Sequence, residues 1–355
     1  MTRALLALLV ASTNLWASFA GANAEKRQAV LEGERSNNES VLFVAAELEG
    51  VRSACTGTLI ADNVVLTARH CVAHFTEGQF TCSINGELDL SRPRSPANAG
   101  DMGALAKPED VSLHAGLRPD LALALGQVSN IYAPQTSTIC RNDIALLVLD
   151  AAIGLPVTPW RRGRGVGQDE TVTVVGYGQN EEGKTLRKQR SGLAILGVGQ
   201  SEYFPISGQA LPRTFVLGRA VCPGDSGGPA LADDGGEVLG VFSLFRGDCQ
   251  GSEPRNYFTH VASFESLVLE ALEAAGHPQP LVSDLPELGA AGSSGQFEPP
   301  APKYLDGGGC VYSRGAPTRG QLLLAVALVF GLVRRRRCPV TRAVRSTPSG
   351  QLSQC

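Results

Sequence analysis

The run CPGDSGGP at Cys222–Pro229 sets a serine, Ser226, among glycines and directly after an aspartate. That is the setting a nucleophile needs when its own backbone must also donate hydrogen bonds. Gly224 and Gly227 carry no Cβ, so the chain can turn sharply and come close to a substrate. The N–H groups of Gly224 and Ser226 can then converge on one point, where a developing oxyanion would sit. A serine hydroxyl is a weak nucleophile and needs a base, and the base needs an orienting group. Upstream, the apolar run Val64–Thr67 leads through Ala68 and Arg69 to His70, followed by Cys71. Between them, Asn142-Asp143 opens a second apolar run through Leu149. A histidine at the end of one strand and an aspartate at the start of another are candidates for base and orienter. Singly, each has an ordinary structural reading: a core histidine, a turn aspartate, a glycine-rich turn.

The elements that must position these residues are short and β-rich. Runs at 41–46, 57–60, 64–67, 144–149, 171–176, 193–198, 214–217, 237–244 and 257–261 are separated by glycine, proline and polar clusters. Many short strands with such punctuation predict an all-β sandwich or barrel. Residues 262–275 carry Phe264, Leu267, Val268, Ala271, Leu272 and Ala275 at helical spacing, and Gly276 and Pro278 stop the helix. Residues 91–120 hold prolines and arginines with little periodicity and read as an inserted surface loop.

The order histidine, aspartate, serine along the chain is one of three known for such a triad. With the contexts LTARHC at Leu66–Cys71, NDIAL at Asn142–Leu146 and GDSGGP at Gly224–Pro229, the chain resembles the chymotrypsin-like (trypsin-like) serine proteases over about residues 30–276. The resemblance implies two six-stranded antiparallel β-barrels with a cleft between them and a C-terminal helix. It also implies the roles: Ser226 as nucleophile, His70 as general base and acid, Asp143 as its orienter, and an oxyanion hole from Gly224 and Ser226. No cofactor or metal is called for, and protein or peptide substrates are the expected partners.

The same resemblance carries three further expectations. First, the residue six before the serine forms the floor of the substrate pocket. Here it is Ala220 rather than the aspartate that selects Lys or Arg. Ser243, Phe245 and Asn256 fall on the pocket walls, with Leu244 and Phe245 where the family usually has tryptophan and glycine. A narrowed pocket preferring small or medium apolar residues is implied. Second, Val30-Leu31-Glu32-Gly33 is the best match to the family's new N-terminus, with only one of its two usual glycines, so a cut after Ala29 would free Val30 to pair with Asp225. Third, Cys55 is expected to pair with Cys71 and Cys222 with Cys249, which leaves Cys82 and Cys140 for each other.

The chain has 355 residues, nine cysteines and a net charge of −3. Nothing in that balance points to nucleic acid. Arg3, the apolar stretch Ala4–Val10 and Ala22-Asn23-Ala24 read as a secretory signal over 1–24, followed by a propeptide at 25–29. Export means an oxidising compartment in which cysteines pair. Residues 277–309 are rich in proline, glycine and serine and read as a linker. Beyond them, Cys310, the apolar run Leu322–Val333 and Arg334–Arg337 resemble the myxobacterial C-terminal sorting tail (MYXO-CTERM) over 310–337. That resemblance implies a sorting protease as partner, membrane contact before processing, and attachment to the cell surface through Cys310. Residues 338–355 form an extension. A plain membrane anchor is the other reading of this tail. For the whole chain, the other reading is a catalytically inactive, protease-like surface binding module.

Overall fold

The computed structural model describes residues 30–178, 185–199, 210–246, 255–279 and 352–354. The signal, propeptide, linker and sorting-tail readings all lie outside the described residues, as does Cys249. In the first sheet, Glu49 and Gly50 both have positive φ, 50° and 81°. That conformation closes a two-residue turn matching the right-handed twist of the strands it joins. It folds β2 (Val41–Leu48) onto β3 (Val51–Ala61), with Leu48 opposite Val51. An earlier short strand, β1 (Glu34–Arg35), belongs to the second sheet. Then follow β4 (Val64–Thr67), β5 (Ala73–Phe75), β6 (Met102–Leu105), β7 (Val111–His114), β8 (Val128–Tyr132) and β9 (Ala145–Leu149). The first sheet runs in the order β7-β2-β3-β4-β9-β8, all antiparallel, while β5 and β6 pair separately.

The second sheet is built from β10 (Thr171–Gly176), β11 (Lys188–Val198), β12 (Thr214–Leu217), β13 (Pro229–Ala232), β14 (Val238–Arg246) and β15 (Arg255–His260). Its order is β11-β10-β13-β14-β15-β12, and β11 also pairs with β12, which closes a six-stranded barrel. The first sheet is curled but open, because β7 and β8 do not pair with each other. Closure matters physically: only a closed sheet has no unpaired edge. β16 (Leu352–Gln354) pairs antiparallel with the end of β14, with Phe245 opposite Ser353.

β4, β9 and β13 and most of β2 and β14 are buried on both faces, which is why they read as continuous apolar runs rather than alternating ones. On β2, Leu42, Val44 and Ala46 face the core of the first sheet, with Leu59, Val65 and Leu147. Val41, Phe43 and Ala45 face a different cluster. There Leu66, Ile144 and Val148 from the first sheet meet Val175, Tyr177, Val238 and Val241 from the second. The helix α1 (Glu265–Ala274) caps this shared cluster with Val268, Leu269, Ala271 and Leu272. Its first predicted turn is instead a 3-10 turn, Val261–Phe264.

The two-barrel architecture with a C-terminal helix is borne out. The reading of 91–120 as a featureless surface loop is not. Met102–Leu105 forms β6, and Val111–His114 forms β7, a full member of the first sheet opposite Ala46–Phe43. Val111 and Leu113 are buried and Ser112 less so, a period of two too short to stand out between flanking prolines and glycines.

Candidate functional site

Strand register brings the histidine and aspartate together. β4 and β9 run antiparallel with Thr67 opposite Ala145, so the end of one lies beside the start of the other. Past Thr67 the chain makes a 3-10 turn at Arg69–Cys71, and the disulfide Cys55–Cys71 ties that turn back to β3. Asp143 lies two residues before β9 and is fully buried. His70 Nδ1 stands 2.7 Å from Asp143 Oδ2, and the His70 backbone N–H donates to Asp143 Oδ1 at 2.9 Å. The Ser243 hydroxyl, on β14 of the other barrel, donates to the same Oδ2 at 2.5 Å. One carboxylate thus gathers three donors from both halves of the molecule. A buried charge needs such partners, because water is not there to solvate it.

Ser226 sits in the turn before β13 and is buried to 1% exposure. The turn is fastened on two sides. Thr56 N–H on β3 donates to the Ser226 carbonyl at 2.7 Å, and Gly227 N–H donates to the Phe242 carbonyl on β14 at 2.8 Å. Gly227 has φ +76°, and a Cβ there would stand 2.2 Å from Thr67 Oγ1. Glycine is therefore required, and the serine turn is packed against the end of the very strand that leads to His70. Gly224 has φ +94°, and its carbonyl accepts from Thr56 Oγ1 at 3.2 Å. A cavity of about 390 Å³ opens beside His70, lined also by Gly224, Pro223, Phe75 and Leu48.

Asp225 points the other way, into the second barrel. Its Oδ2 accepts from the backbone nitrogens of Val30 and Cys222, each at 3.0 Å, and its Oδ1 from Gly178 N–H at 2.9 Å. Burial pushes its carboxyl up to about 6, against the pull of those three N–H donors and the charge of Lys188. Val30 and Leu31 are fully buried, and Leu31 N–H donates to the Ala220 carbonyl at 2.8 Å.

Three of the four positions expected to line the pocket, Ala220, Phe245 and Asn256, lie together on that side. Asn256 is fully buried, and its Oδ1 accepts from the N–H groups of Ala220 at 2.9 Å and Val221 at 3.3 Å. Its amide donates to the Val221 carbonyl at 3.2 Å. Phe245 packs into the same apolar cluster as Ala220, Val221 and Leu31. Ser243, the fourth, instead donates its hydroxyl to Asp143. A lone hydroxyl residue in the apolar run VFSLF is the signal that could have shown this, because a buried hydroxyl must find an acceptor.

Cys82 and Cys140 form the second disulfide, and Cys222 is also disulfide-bonded. The cluster Cys55, His70 and Cys71 has metal-ligand types at close range, but its two sulfurs bond each other, so no thiolate is left to bind zinc. Among the described residues no helix is long and apolar enough to cross a membrane.

Comparison with known proteins agrees with this geometry. The chain is 27% identical over 225 residues to a cercarial protease of Schistosoma mansoni, covering 60% of this chain and 79% of that one. It is 25% identical over 290 residues to a trypsin of Phaedon cochleariae, covering 77% and 100%. It is 23% identical over 258 residues to a trypsin of Saccharopolyspora erythraea, covering 69% and 99%. The trypsin family profile matches residues 30–268. By the profile, the two-barrel fold and its protease relatives, the chain belongs to the trypsin family and carries a trypsin-like protease domain.

Proposed function

We propose that the protein is an exported serine endopeptidase that works through Ser226, His70 and Asp143. The observation that carries this reading is the buried His70–Asp143 pair at 2.7 Å, with the serine turn packed against the same strand end. Ser226 Oγ attacks the scissile carbonyl as His70 Nε2 takes its proton. The carbonyl oxygen becomes an oxyanion held by the N–H groups of Gly224 and Ser226. His70 then protonates the leaving amine and the C–N bond breaks, leaving an acyl-enzyme that water hydrolyses by the same steps. Asp143 keeps Nδ1 protonated, so Nε2 is the free base, and its charge balances the imidazolium.

Labelling by an organophosphate tests the reading. The processed protein should incorporate one label, and Ser226→Ala should incorporate none. A processed protein that takes no label would instead be a protease-like surface binding module.

The pocket supports cleavage after small or medium apolar residues. No carboxylate stands at Ala220, and the Asn256 carboxamide and Phe245 occupy the space beside it. Asn256→Gly should open that space. Each methylene accommodated is worth about 1–3 kcal/mol, so kcat/KM for substrates with leucine or phenylalanine before the scissile bond should rise about tenfold or more. A peptide-library profile dominated by Arg or Lys would overturn the apolar preference.

Export rests on the 1–24 leader and is supported by the disulfides Cys55–Cys71 and Cys82–Cys140, bonds that persist in oxidising compartments. On this reading the tail is cut by a sorting protease and Cys310 remains as the attachment point. Mature surface protein should then lack Cys338, and mass spectrometry of its C-terminal peptide checks this.

A further inference from the structure

Arg69 is a buried cation that the chemistry above leaves unused. It immediately precedes His70 and is 5% exposed. Its guanidinium forms no ion pair among the described residues. Nη1 donates to the Thr136 carbonyl at 2.7 Å and lies 3.8 Å from Met102 Sδ, while Nη2 donates to the Gly103 carbonyl at 3.1 Å. Nε is buried without a hydrogen-bond partner among the described residues. Arginine stays protonated even so, and a guanidinium taken out of water without a carboxylate is costly. Burial lowers its affinity for its proton, and the charge of Asp143 partly restores it. A residue with an alkyl side chain would fill this place at smaller cost, so the two-pronged grip on carbonyls needs a reason.

The reason lies in what the two carbonyls belong to. Gly103 is on β6 and Thr136 is on the return path to Asp143. Both are in the long segment between His70 and Asp143, which Cys82–Cys140 cross-links. That segment rests on the histidine turn at several points. Ala73 on β5 pairs with Leu105 on β6, and Ala106 N–H donates to the Val72 carbonyl at 2.8 Å. Phe75 packs its ring 5.9 Å from the His70 imidazole and 6.4 Å from Phe80. These contacts tie the histidine turn to the β5–β6 part of the segment. The planar fork of Arg69 grips one carbonyl on β6 and one on the return path at once, and so ties both to the residue before His70.

We propose that Arg69 is a positioning residue: its guanidinium bolts the segment between His70 and Asp143 onto the histidine turn and so holds the imidazole square to Asp143. The kinetic part of this inference rests on the serine-protease reading; the spectroscopic part does not. A His70 Nδ1 proton bonded to the Asp143 carboxylate should give a far-downfield proton NMR signal. In Arg69→Met that signal should broaden or vanish while the fold, followed by circular dichroism, is kept. In the same variant kcat should fall tenfold or more with KM within about twofold. Arg69→Lys should recover only part, because one ammonium cannot span both carbonyls. In Arg69→Ala, millimolar methylguanidinium should restore signal and kcat together. The proposal is overturned if Arg69→Met keeps a sharp signal, or if signal and activity fall only in step with thermal unfolding and ignore methylguanidinium. Native protein that shows the downfield signal yet takes no organophosphate would sink the protease reading and leave the positioning role to the NMR arm alone.

Discussion

Asp143→Asn is expected to lower kcat about ten-thousandfold while KM changes little. That size is the family's known value for losing this charge; the direction follows from the bonds on the page. Asp143 accepts from the His70 backbone N–H, from His70 Nδ1 and from Ser243 Oγ. An asparagine keeps one acceptor oxygen, and the backbone N–H at 2.9 Å will claim it, since that group cannot turn away. The amide NH₂ then faces His70 Nδ1 and can only donate. The ring answers by moving its proton to Nε2, the atom that must be free to take the serine's proton. Ser243 loses little, because its hydroxyl can rotate and accept from the amide. The fold, the disulfides and the pocket are untouched, so binding survives and proton transfer does not. Single-turnover kinetics separate these two effects. A variant with native kcat would show that Asp143 does not orient the base.

The position of this carboxylate was legible in the sequence because three physical demands leave marks there. A nucleophile in a tight turn demands glycines, and Gly224 and Gly227 do have positive φ. A base and its orienter must end and begin paired strands, and β4 and β9 are such a pair. The expected cysteine pairs Cys55–Cys71 and Cys82–Cys140 both form. What could not be read is what depends on contacts distant in sequence. β6, β7 and β8 are strands of four or five residues among prolines and glycines, and their stability comes from partners, not from their own pattern. β13 begins with Pro229, a residue tolerated at the first position of a strand but discounted when read alone. Arg69 was invisible as an anchor because arginine is rarely buried, and only its carbonyl partners reveal the role. Asn256 gave its position through the family pattern, but its hydrogen bonds to Ala220 and Val221 needed the fold.

Cleavage after Ala29 is expected to remove a loss of stability that the uncut protein suffers between about pH 4 and 6. With the 29–30 bond intact, Val30 offers Asp225 only an amide N–H at 3.0 Å. The carboxyl is then held at about 6, above its ordinary 3.8, chiefly by burial. Between about pH 4 and 6 the folded chain therefore binds a proton that the unfolded chain has released. Stability from this group is fully present below the lower value and is lost as pH rises through the higher one. A shift of about two units is worth on the order of 3 kcal/mol, so the melting temperature of the uncut protein should fall across this window. Asp225→Asn should abolish the dependence. After the cut, Val30 carries an ammonium at the same place, and the carboxylate gains a charged partner that offsets its desolvation. The melting temperature should then no longer fall between pH 4 and 6.

The same step should switch on activity. An ion pair holds Asp225 ionised, and the turn from Cys222 through Ser226 is anchored on it through the Cys222 N–H at 3.0 Å. In the cut enzyme, Asp225→Asn should cost about a hundred- to a thousandfold in kcat, the scale of losing an oxyanion-hole donor. Organophosphate labelling of the uncut chain should be slow for the same reason. N-terminal sequencing of labelled protein decides the matter: a start at Val30 supports the switch, and efficient labelling of chains that begin at Glu25 would remove it.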